Sequence, residues 1–136
     1  PLAFSAIMGC RKHLTVFGND YPTEDGTCVR DYLHVHDIAT AHILSAEYLV
    51  RHHDFDDFNL GSSTSTTVLD VVAAVERITG LSVPYIIGAR RAGDPAILVA
   101  SSEKVIRKLG LRFKRSTIDE IVKSAWKWFR LLKSHE

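Results

Sequence analysis

Cysteine is scarce in this 136-residue chain, with only Cys10 and Cys28 present. Two cysteines make no disulfide framework, and each falls in an apolar stretch, so both are expected to be free and buried. With no leader-like segment before the first helix, the expected setting is reducing and cytoplasmic. Long hydrophobic runs are also missing. None approaches the roughly 20 residues that a spanning helix needs, so no membrane role is expected. Nor does charge of one sign accumulate: 17 Lys and Arg meet 16 Asp and Glu, for a formal net charge of +1. A nucleic-acid platform normally carries a basic stripe, and this chain carries none.

Catalytic motifs are absent too. There is no G-x-G-x-x-G turn, no P-loop and no G-x-S-x-G elbow. Seven histidines raise the question of a metal, but none stands at Cys/His spacings typical of zinc or in an H-E-x-x-H pair. No metal site is expected, and no residue of the chain is identified as a general acid, general base or other catalytic group.

What is present is an ordinary globular composition, 46% hydrophobic and 24% charged, in a chain of single-domain length. The residue pattern predicts a helix over 1–12, a short strand over 14–17 and a loop over 18–26. A strand is expected over 28–35, then an amphipathic helix over 38–50 capped by Asp37. Residues 55–60 read as a strand and 62–67 as a polar linker. Thr67 and Asp70 form a capping pair for a helix over 68–79 closed by Gly80. A strand over 83–87, a loop over 88–96, a helix from the Ser101 cap to Leu109 and a final helix over 118–133 complete the chain. The aromatic cluster Trp126, Trp128 and Phe129 is expected in core or interface rather than as a stacking platform. The order is mixed α/β, with helices outnumbering short strands.

Two clusters could carry binding chemistry. In the strand around Arg30, alternation places Cys28, Arg30, Tyr32 and His34 on one face and Val29, Asp31, Leu33 and Val35 on the other. A guanidinium beside a phenol suits an anionic ligand with a hydroxylated body, although an ordinary Arg–Asp surface pair would look the same in sequence. The second cluster, RRAGDP over residues 90–95, combines two cations, a turn glycine and a carboxylate. A diphosphate needs cations and a ribose needs an acceptor. If both clusters converge, a nucleotide diphosphate carrying a sugar is the candidate ligand.

The run LTVFGNDYPTEDGTCVRDYLHVHD over residues 14–37 closely resembles the UDP-glucose (UDP-galactose) 4-epimerases of the extended short-chain dehydrogenase/reductase group. RRAGD over 90–94, ASSEK over 100–104, FNLG over 58–61 and SAWKW over 124–128 fit the same family, so the resemblance covers the whole chain. It implies that Arg30 and Arg91 hold the UDP diphosphate, that Tyr32 contacts the nucleotide and that Asp94 accepts from ribose. The strand ending at Phe17 would offer backbone groups to uracil, and Leu98 would help set the room for the hexose C2 substituent.

Members of that family use NAD and a catalytic Tyr-x-x-x-Lys, and neither that motif nor the Gly-rich NAD turn occurs here. The resemblance therefore implies the C-terminal substrate-binding part of such an enzyme, lacking the N-terminal βαβ units, incomplete even in its UDP site and inactive alone. Its expected partners are UDP-glucose or UDP-galactose, an N-terminal NAD-binding domain and a second copy in a homo-oligomer, with NAD bound only by the full enzyme. Residues 31–60 would pack on the NAD-binding domain. Without it, the chain would pair with itself or be only marginally stable. A non-catalytic UDP-sugar-binding module and an assembly fragment are the alternative readings.

Overall fold

The computed structural model describes residues 1–53 and 55–133. Helix α1 (Leu2–Ile7) leads to β1 (Leu14–Phe17), β2 (Val29–Arg30) and the long α2 (Val35–His52). There follow β3 (Thr66–Thr67), α3 (Val68–Thr79), β4 (Tyr85–Gly88), β5 (Ile97–Leu98), α4 (Glu103–Leu109) and α5 (Ile118–Lys133). Mixed α/β architecture is thus observed, with the strands in two small sheets. β1 and β4 run parallel, from Leu14 opposite Tyr85 to Phe17 opposite Gly88. β2 lies between antiparallel β3 and parallel β5, with Arg30 opposite both Thr66 and Leu98.

Local chemistry explains the helix limits. Thr67 accepts from the Asp70 N–H at 3.0 Å while Asp70 accepts from the Thr67 N–H at 2.9 Å, the reciprocal box expected from sequence. Gly80 and Gly110 close α3 and α4 in the left-handed region, at φ 70° and 66°, where a Cβ would be strained. The apolar stripe of α3 then packs on α5 and α1. Val72, Ala74, Val75, Val83, Val122 and Phe4 form one buried core, flanked by Trp126 and Phe129. Trp128 points outward instead. A second core joins Ala41 of α2 to Val105 of α4 and Leu111, with Phe58 and Leu60 against it.

A polar seam joins the two cores. His34 caps α2: its Nδ1 accepts from the His36 N–H at 3.0 Å, and its Nε2 meets Ser124 Oγ of α5 at 2.8 Å. A ring that accepts at Nδ1 carries its proton on Nε2, so it donates to Ser124. Asp37 is almost fully buried in the first turn of α2. Its carboxylate accepts from the N–H groups of Lys114 and Arg115 and from Ser116 Oγ, the last at 2.7 Å. Burial pushes its pKa up, but these donors outweigh burial and hold it below the usual 3.8.

Several expectations are corrected. The first helix spans six residues rather than twelve, so Cys10 is exposed; Cys28 is buried as expected. The strand around Arg30 is two residues long, because the chain turns into α2 at Val35. His34, not Asp37, is the cap, and it leaves the ligand-facing side of the strand. Residues 55–60 form no strand among those described; Phe58 and Leu60 reach the second core from irregular backbone. The linker contributes β3, and β5 forms just past the expected loop. Among the described residues, no helix is long and apolar enough to cross a membrane.

Candidate functional site

The two sequence clusters converge on one cavity of about 410 Å³. Its apolar floor comes from Leu2 and Ala3 of α1, from β1, and from Val68, Val71 and Val72 of α3. Its polar groups are Arg30, Tyr32, Arg91 and Asp94. Cys28, Arg30 and Tyr32 all face it, so the two-residue alternation survives although only Val29 and Arg30 pair in a ladder. Asp31 points away and does structural work. Its Oδ2 accepts from the Ala100 N–H at 2.8 Å, fastening β2 to the end of β5. Gly61 fits against that junction: a Cβ there would lie 2.3 Å from Asp31 Oδ2 and 2.5 Å from the Ala100 oxygen.

Arg30 and Asp94 form an ion pair at 2.5 Å, three-quarters shielded from solvent. Arg30 also donates to the Val29 carbonyl at 2.7 Å. Its charge is therefore oriented by two acceptors rather than free to swing. Asp94 Oδ2 faces the Cys28 thiol at 3.9 Å. The Arg91 guanidinium stacks 3.9 Å from the centre of the Phe17 ring at the end of β1. Burial pushes the Tyr32 phenol up, against the opposing effect of Arg30, so at neutral pH it is a hydroxyl donor.

Five of the six residues singled out from sequence, Phe17, Arg30, Tyr32, Arg91 and Asp94, line this cavity. Leu98 does not; it sits opposite Arg30 on β5 and is exposed. Sequence reasoning passed over Cys28 and the valines of α3. The alternation that picked Arg30 and Tyr32 already placed Cys28 beside them, and the helical spacing of Val68 and Val72 was the signal for the floor. It also passed over the Arg30–Asp94 pairing, which links residues 64 positions apart. A larger open groove of about 720 Å³ lies between α3 and α5, with Arg77, Lys123, Lys127 and Arg130 around Trp126, and gathers none of the six. Among the described residues, no three His, Cys, Asp or Glu side chains are grouped to hold a metal.

Known proteins resemble this chain in sequence and in backbone. Residues 3–61 match the NAD dependent epimerase/dehydratase family. A UDP-glucose 4-epimerase of Lacticaseibacillus casei is 44% identical over 128 residues, covering 94% of this chain and 39% of its own. A crystal structure of UDP-glucose-4-epimerase from Stenotrophomonas maltophila, with bound NAD and formylated UDP-arabinopyranose, superposes with a TM-score of 0.94 at 36% identity, over 98% of this chain and 40% of that one. One from Bifidobacterium longum, in complex with NAD+ and UDP, does so with a TM-score of 0.84 at 35% identity, over 96% and 39%. The chain thus spans about two fifths of the length of the relatives it matches. The family match thus takes in less than half of the chain, while over nearly its whole length the chain is similar in sequence and in backbone to part of the UDP-glucose 4-epimerases.

Proposed function

We propose that this chain supplies the UDP-binding half of a UDP-glucose 4-epimerase, the enzyme that interconverts UDP-galactose and UDP-glucose through a 4-keto intermediate. The observation that carries the reading is the convergence of Phe17, Arg30, Tyr32, Arg91 and Asp94, from separate segments, on one cavity. Arg30 and Arg91 bind the diphosphate, Tyr32 donates to the nucleotide, and uracil lies along the end of β1. Asp94 both orients Arg30 and accepts from ribose. Leu98, beside Arg30 but outside the cavity, bounds the hexose C2 side.

The residues present do not fit a dinucleotide. There is no glycine-rich turn and no Tyr-x-x-x-Lys, so hydride transfer and proton abstraction from the sugar belong to another part of the enzyme. The same reading explains the outer side of α2. Val35, Ala39, Ile43, Ala46 and Val50 recur at helical spacing, and all are exposed. A helix apolar on opposite sides is built to be covered on both, and the NAD-binding domain covers this stripe. Isothermal titration of the chain with UDP-glucose tests the site. Binding weakened by Arg30→Ala and Arg91→Ala supports it, and a folded chain that binds nothing leaves the assembly-fragment reading in its place.

A further inference from the structure

We infer that Arg90 is a positioning residue for the cavity: clamped between Asp20 and Tyr21, it fixes the loop after β4 so that Arg91 stands over Phe17. The inference rests on the nucleotide-diphosphate reading above.

The β1–β4 ladder ends at Phe17 and Gly88, with one more bond from the Gly18 N–H to the Gly88 carbonyl at 2.9 Å. Beyond it, two loops leave side by side and no backbone ladder joins them. Arg90 supplies the missing cross-link. Its Nε donates to Asp20 Oδ1 at 2.7 Å, and its Nη2 donates to the Asp20 backbone carbonyl. Its guanidinium lies 4.1 Å from the centre of the Tyr21 ring. Tyr21 is buried and its N–H donates to the Gly26 carbonyl at 2.9 Å, so the anchor belongs to a closed turn.

An exposed Arg–Asp pair alone contributes little. Here the pair is packed as well as charged. Gly18 adopts φ 85°, and a Cβ on it would lie 2.7 Å from Tyr21 Cε2 and 2.8 Å from Arg90 Cγ. The Arg90 stem fills the space that a side chain at position 18 would need. The hydrogen bond from Arg90 also holds the Asp20 carboxyl below its ordinary value, so the pair stays charged well into acid. Arg91 lines the cavity and Arg90 does not. One arginine contacts the ligand, and the other holds it in place beforehand, removing an ordering cost from binding.

Two measurements on the same chain test this. In the free protein, NMR of the arginine side chains should show the Arg90 protons shifted by the Tyr21 ring current, and Tyr21→Leu should abolish the shift. An unshifted Arg90 overturns the clamp. In titrations with UDP, Arg90→Ala should weaken binding about threefold to tenfold, the range for releasing one or two ordered side chains. Arg90→Lys should recover little, and Arg90→Ala combined with Asp20→Asn should be no worse than either alone. The salt dependence of Kd should be unchanged by Arg90→Ala and reduced by Arg91→Ala, because of these two neighbours only Arg91 meets the diphosphate. A reduced salt dependence for Arg90→Ala would make it a direct ligand and overturn the positioning role. Wild-type binding that Arg90→Ala leaves intact refutes the positioning role alone. A shifted Arg90 in a chain that binds no UDP refutes the nucleotide reading, and the role with it.

Discussion

Arg30 and Asp94, 64 residues apart, meet at 2.5 Å on the wall of the cavity and tie β2 to the loop that precedes β5. The pair sets a charge where a diphosphate would lie and fixes its direction. Asp94→Asn should change stability by no more than about 1 kcal/mol, since the pair is not fully enclosed. It should weaken UDP binding about tenfold through the loss of Arg30 orientation. Denaturant melts and titrations of the variant check both halves; tighter UDP binding would mean that the carboxylate repels the ligand rather than preparing its partner.

Asp37 makes acid stability readable at one residue. Its folded pKa is lowered, so the unfolded chain binds a proton more readily than the folded one. Its contribution is fully present above the ordinary 3.8 and is lost as pH falls through the folded value. Wild-type thermal midpoints should therefore drop below about pH 4, with a shallower drop in Asp37→Asn. At neutral pH, Asp37→Ala should cost about 3 kcal/mol or more, because two N–H groups and the Ser116 hydroxyl lose their acceptor.

The Thr67–Asp70 box predicts a local effect. Thr67→Ala should destabilise the chain by about 1 kcal/mol in urea melts, as a lost N-cap does. Hydrogen exchange should report the loss first in α3, whose N-terminal turn also forms part of the cavity floor at Val68 and Val71.

These elements differ in how visible they were in sequence. β1, α3 and α5 were found at their observed limits because a capping pair, a closing glycine and a periodic stripe are all local. β2 was overextended because residues 31–34 are an extended run without ladder partners, and a histidine cap gives little warning. β3 and β5 pair only through two residues each, held by non-local contacts that no local propensity reports. Arg30 and Tyr32 were legible through alternation, Arg91 and Asp94 through the RRAGD loop, and Phe17 only through the family resemblance. The Arg30–Asp94 and Arg90–Asp20 pairings were not, since each joins segments more than sixty residues apart.

The exposed stripe of α2 predicts how the chain behaves alone. Sedimentation velocity should show concentration-dependent self-association that Ile43→Lys and Val50→Lys reverse, because a lysine cannot be buried against a second apolar face. A monodisperse wild-type monomer over a wide concentration range would show that the stripe needs no cover.

The proposed UDP-binding half-site is built from this chain's own residues. Isothermal titration with UDP-glucose measures it most directly, beside circular dichroism to show that each variant is folded. Wild-type binding should be saturable, and Arg30→Ala and Arg91→Ala should each weaken it by tenfold or more, about 1.4 kcal/mol. A folded wild-type chain that takes up no UDP-glucose, or binding that neither substitution alters, would contradict the proposal.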